Sequence, residues 1–172
     1  MPSGRTHDRI TLWLLPWVVG LSLLITRRAE LTLLMAGGFL FSGLMFGPDL
    51  DIYSIQYQRW GVLRLIWWPY RTLLRHRSWL SHGPIVGTTL RIVYFLAFLV
   101  LMGGIILGIV QLIWGNAEHW LGLGKKLALL LVKQYPHYLI ALGVGLELGS
   151  LSHALSDSLG SSLKKRRRKK SR

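Results

Sequence analysis

The stretch IVYFLAFLVLMGGIILGIVQLIW, residues 92–114, runs for 23 positions without a charged side chain. As a helix it would be about 35 Å long, against a bilayer hydrocarbon core of about 30 Å. Its reading decides the rest: a chain that contains it is expected to be an integral membrane protein. Gly104 and Gly108 give the span a face of small residues suited to close helix packing.

Working outward, three more runs fit the same solvent. Residues 10–25 are apolar except for Thr11, Pro16 and Ser22. They are followed by Thr26-Arg27-Arg28-Ala29-Glu30 rather than a small-residue cleavage site, so a retained first span is expected. Residues 31–47 are uncharged and form a second. A fourth, 136–159, begins at Pro136, a favoured first helical residue, and carries Gly145 and Gly149 on a second close-packing face. Residues 115–124 read as a polar turn region and 127–132 as a short surface helix. Between spans two and three, residues 52–75 read as an interfacial amphipathic segment. Arg64, Arg71 and Arg75 share one face of it, Trp60, Leu63, Trp67 and Leu74 a neighbouring one, and Pro69 breaks it in two. The expected fold is all-α, an integral membrane four-helix bundle in one domain over residues 1–160.

Composition agrees. Only 16% of the 172 residues are charged, where a soluble domain has roughly 25%. With no cysteine, disulfides and thiolate zinc sites are excluded. The net charge of +14 is uneven: eight of the 21 Lys and Arg lie in residues 164–172. Residues 161–172 read as a disordered basic tail in contact with anionic lipid, and no nucleic-acid partner is expected. The positive-inside rule places the tail, the N-terminus with Arg5 and Arg9, and the loop carrying Arg59, Arg64, Arg71, Arg75 and Arg77 in the cytoplasm. The expected location is a prokaryotic cytoplasmic membrane.

The chain has only seven acidic residues and six histidines. Under this topology eight of them reach one membrane face. His7 and Asp8 precede span one, and Asp49 and Asp51 follow span two. His76 and His82 precede span three, and His153 and Asp157 close span four. Each pair alone has a plainer reading: Asp49 and Asp51 as turn residues, Asp8 in a helix first turn. His153 and Asp157 stand four apart, on one helix face, and could simply pair with each other. His119 and His137 read as interfacial polar residues. Together the eight point to one metal site. Imidazole and carboxylate ligands suit zinc, manganese or iron. Eight candidates exceed what one tetrahedral zinc takes, so one or two ions are possible. Arg77 could hold a substrate anion, and Asp8 or Asp157 could act as base. Glu147 is open between ligand, base and partner of Arg91.

Four motifs carry a resemblance. Ser3-Gly4-Arg5-Thr6-His7-Asp8, Gly47-Pro48-Asp49-Leu50-Asp51, His76-Arg77 through Ser81-His82-Gly83, and His153-Ala154-Leu155-Ser156-Asp157 together resemble a prokaryotic family of uncharacterised metal-binding membrane proteins. They are similar, more distantly, to metal-dependent hydrolases of the bacterial inner membrane. Ile52 and Gly83 stand where those hydrolases carry His and Ser. The resemblance implies metal binding by His7, Asp49, Asp51, His76, His82, His153 and Asp157. The expected function is a metal-binding membrane protein, with hydrolysis of a phosphate- or ester-containing lipid or small substrate as its activity. The alternative is a non-enzymatic sensor, store or scaffold. A transporter fits least, because the middles of spans one to three hold no acid or histidine.

Overall fold

The computed structural model describes residues 4–170, with side chains described through residue 161. Among the described residues all regular structure is helical. The long helices are α1 (Gly4–Thr26), α2 (Ala29–Leu44), α6 (Val86–Trp114), α7 (Ala117–Gln134) and α8 (Pro136–Lys170). Three short ones, α3 (Ile55–Gln58), α4 (Trp68–Leu73) and α5 (Trp79–His82), lie between α2 and α6, with 3-10 turns at Pro48–Asp51 and Gly61–Trp67. Four segments are long and apolar enough to cross a membrane: Gly4–Thr26, Ala29–Asp51, Val86–Trp114 and Pro136–Ser161.

Helix α2 packs against both α1 and α8. Small residues set the distance. A Cβ on Gly38 would lie 2.8 Å from the Leu142 carbonyl oxygen, and one on Gly149 would lie 2.5 Å from that of Phe39. Gly145 abuts the carbonyl of Met35. The expected face of Gly145 and Gly149 is therefore a backbone-to-backbone contact. The other expected face, Gly104 with Gly108, meets nothing within 4 Å.

The segment after α2 departs from the expected surface helix. Gly61 takes a left-handed conformation, φ +55°, and the segment divides where the 3-10 turn Gly61–Trp67 meets α4, with Pro69 in the first turn of α4. Tyr57, Trp67 and Tyr70 turn inward, while Trp68 stays exposed along with Val62 and Leu65. Trp67 is fully buried, stacked on Phe95 at 5.7 Å and edge-on to Phe46 at 5.4 Å. Trp60 joins them, 5.2 Å from Trp67, while Leu63 of the supposed stripe stays exposed. Burying aromatic area against α2 and α6 outweighs laying it on a surface, so the segment folds as a cap over one end of the bundle.

Two other boundaries differ. Gly115, at φ +66°, closes α6, and α7 begins at Ala117 within the expected turn region. None of the residues of α7 is buried. The backbone of α8 continues past 159 to Lys170, where a disordered tail was expected from 161. Lys and Arg are good helix formers and do not stop a helix already running. The side chains of 162–170, and residues 171–172, lie outside the described residues.

Candidate metal centre

Four separated segments bring their histidines and aspartates to the same end. His7 sits one turn into α1, Asp49 and Asp51 in the 3-10 turn after α2, His82 at the end of α5, and His153 and Asp157 on one face of α8. His76 precedes Arg77, whose φ of +60° is a left-handed conformation that costs a non-glycine residue energy.

The side chains form one continuous constellation. His76 Nδ1 lies 2.9 Å from Asp51 Oδ1, and His82 Nδ1 lies 3.7 Å from Asp51 Oδ2. His82 Nε2 is 3.7 Å from Asp49 Oδ1, and His153 Nε2 is 3.2 Å from Asp49 Oδ2. The His153 ring stacks on that of His7 at 3.8 Å. His7 Nε2 faces Asp157 Oδ1 at 3.3 Å, and Arg77 reaches Asp157 Oδ2 at 3.7 Å. Thus His7, Asp49, Asp51, His76, His82, His153 and Asp157 all meet, with Arg77 at the edge. Asp8 does not join them. Both its oxygens are held by Arg59, one at 2.9 Å, and the guanidinium also binds the Leu44 carbonyl. That pairing raises the Arg59 pKa and keeps it charged. His119 and His137 lie beside Trp120 and Tyr138, away from the constellation.

Protons can be assigned by counting donors. A carboxylate only accepts, so His76 donates from Nδ1 to Asp51 and its Nε2 is left with a lone pair. The Ser156 hydroxyl gives its one proton to the His153 carbonyl at 2.8 Å, so at 2.7 Å it accepts from His7 Nδ1. Ser81 Oγ lies 2.9 Å from His82 Nδ1, with the carbonyls of Ser78 and Arg75 flanking it, and accepts in the same way. Two imidazoles, His7 and His82, therefore turn bare Nε2 atoms toward carboxylate oxygens, of Asp157 and Asp49. Nε2 of His76, His82 and His153 is buried without a hydrogen-bond partner. Lone pairs facing lone pairs in a buried site repel, and a cation between them removes the conflict. The donor set, four imidazoles and carboxylates without sulfur, fits zinc, manganese or iron.

Several supporting residues carried no sequence signal. Gln56 is buried, donates to the Gly43 carbonyl at 2.8 Å and lies 3.4 Å from His153 Nδ1. Arg91, fully buried, donates to the Ser81 carbonyl at 2.9 Å and to Ser150 Oγ at 2.7 Å, tying the His82 turn to α8. Glu147 is neither ligand nor partner of Arg91 by hydrogen bond. It accepts from the Ile85 amide at 2.9 Å, securing the turn that enters α6.

Two cavities flank the constellation. One of about 250 Å³ is lined by His7, Asp8, Asp49, Gln56 and His153, among others. One of about 270 Å³ is lined by Arg77, His82, Ala154, Asp157, Ser158 and Ser161.

A protein of Aquifex aeolicus, described as an uncharacterized protein, is 36% identical over 58 residues. The match covers 33% of this chain and 40% of the relative, so the chain spans less than half of that relative's length. No solved structure matches. Residues 2–167 match the family model described as uncharacterized metal-binding protein (DUF2227), and with nearly the whole chain inside that match, the protein belongs to this metal-binding family.

Proposed function

We propose that this chain is an integral membrane protein of the prokaryotic cytoplasmic membrane. In this reading it holds a divalent transition metal, zinc first and manganese or iron as rivals, in the His/Asp constellation. It uses that centre to hydrolyse a phosphate- or ester-containing lipid or small molecule. The observation that carries the reading is the convergence of buried imidazole nitrogens without hydrogen-bond partners and carboxylate oxygens from four separated segments. The membrane part is supported by α6, whose most apolar window has no buried residue; such a surface needs lipid. Arg59, Arg64, Arg71, Arg75 and Arg77 lie in the capping segment beside the centre, which favours the cytoplasmic side for that end.

His7, His76, His82, His153, Asp49 and Asp157 would hold the metal, and Asp51 aims His76 through its Nδ1 proton. A bound ion would supply Lewis acidity and lower the pKa of a water molecule in the cavity. Arg77, with 42% of its side chain exposed, borders the same cavity as His82 and Asp157 and can turn its guanidinium to an anionic group there. Asp8 lines the opposite cavity with His7 and Asp49, but both its oxygens are taken by Arg59, which leaves Asp157 the better placed of the two candidate bases.

The test is hydrolysis of soluble phosphomonoester, phosphodiester and carboxylic ester probes, and of the corresponding lipids, by detergent-purified protein. The expected result is turnover that chelator abolishes and zinc restores. Arg77→Gln should raise KM on the order of tenfold, the loss of one charge-assisted hydrogen bond of about 1.5 kcal/mol. Bound metal with no turnover on any probe would overturn hydrolysis and leave the non-enzymatic reading.

A further inference from the structure

The ligand atoms fall into two groups. His7, His153 and Asp157 each place one within 4.8 Å of the others, and so do Asp49, His76 and His82. Asp49 connects the groups, with Oδ2 3.2 Å from His153 Nε2 and Oδ1 3.7 Å from His82 Nε2. One tetrahedral ion takes about four ligands. Filling either group alone would leave the other with its lone pairs opposed. In particular, filling the outer group alone would leave His7 Nε2 facing Asp157, and filling the inner group alone would leave His82 Nε2 facing Asp49 and His76 Nε2 buried without a partner.

Resting on the metal-binding reading above, we infer that the centre takes two divalent ions that differ in access. The inner one is held by His7, His153 and Asp157, the outer one by His76, His82 and Asp49, and Asp49 gives one carboxylate oxygen to each. The inner group is the more deeply buried: side-chain exposures are 5% for His7, 2% for His153 and 9% for Asp157. The outer group is open, at 26% for His76, 13% for His82 and 17% for Asp49. Stacked rings and the Ser156 hydrogen bond fix the inner imidazoles. The outer pair meets edge to face at 5.1 Å and relies on Asp51 and Ser81 for its orientation. A chelator should therefore reach the outer ion first. Two non-equivalent sites also give the fold a division of labour. The inner ion would tie α1 to α8, and the outer ion would tie the His76–His82 turn to the end of α2, with His82 at the cavity that Arg77 borders.

The experiment uses full-length protein in detergent, reloaded with zinc and freed of excess metal. Metal per chain is measured by elemental analysis, and release to a chelator is followed in time. Two ions per chain are expected, released in two phases of about equal size at rates at least tenfold apart. His76→Ala should keep one ion and lose the fast phase. Manganese-loaded wild type should show a spin-coupled electron paramagnetic resonance spectrum instead of an isolated six-line signal. One ion per chain in the wild type, released in a single phase, would overturn the two-ion inference and leave metal binding standing. No ion at all would overturn both. The wild-type count and release need no variant to fold.

Discussion

Ser156 has one hydroxyl proton and two neighbours, the His153 carbonyl and His7 Nδ1. Because the carbonyl can only accept, the imidazole donates, and Nε2 of His7 is the atom left for an ion. Asp51 does the same for His76. These are orienting roles. Asp51→Asn keeps the shape but can present an amide N–H to the ring, so metal affinity of the outer group should fall about 10- to 100-fold, the usual cost of removing an orienting partner. A competition titration against a fluorescent chelator reads this directly; unchanged affinity would remove Asp51 from the account. Seven of the eight candidates that the helix order brings to one end meet in the structure, and Asp8 pairs with Arg59 instead. Ser156, Ser81, Gln56 and Arg91 were not legible in the sequence. Serine, glutamine and arginine beside a ligand are common everywhere, and which one meets an imidazole depends on contacts between distant elements.

Helices α2 and α8 meet through backbone, and that sets what their glycines tolerate. A side chain on Gly145 would push into the Met35 carbonyl, so Gly145→Val should separate the pair and displace His153 and Asp157 with it. The expected cost is about 2 kcal/mol or more, seen as a lower Tm in detergent. Gly108→Val, at an open position, should leave Tm near that of the wild type. Trp67→Ala should cost about 3–5 kcal/mol, since it empties the centre of the aromatic cap. A Tm equal to wild type would show that the cap does not hold the site end together. Apolar run length announced the four long helices, because length and absence of charge are local properties. The inward turn of Trp60 and Trp67 was not legible, because an aromatic stripe at helical spacing looks alike whether it lies on a bilayer or against Phe46 and Phe95. Only Gly61 and Pro69 hinted at a broken path.

At the scale of the molecule, the metal centre and the helix packing are coupled. The constellation joins α1, the end of α2, α5 and α8, so removing the ion should loosen the whole end of the bundle. With free metal at about 100 times Kd, stabilisation is about 2.7 kcal/mol, and chelator should lower Tm accordingly in wild type but not in Asp49→Ala. The topology is open to a clean test because the chain has no native cysteine. Single cysteines at Gln58, in the cap, and Asn116, in the turn between α6 and α7, should label from opposite sides of sealed vesicles, Gln58 from the cytoplasmic side. Labelling of both from one side would contradict the span order.

The most direct measurement is X-ray absorption at the metal edge of wild-type protein purified without chelator and reloaded with zinc. A first shell of nitrogen and oxygen, with the multiple-scattering pattern of several imidazoles and no sulfur, is the expected result. A sample that retains no metal, or a shell of water oxygens without imidazole, would contradict the account and leave the histidines and aspartates as a buried ion-pair network.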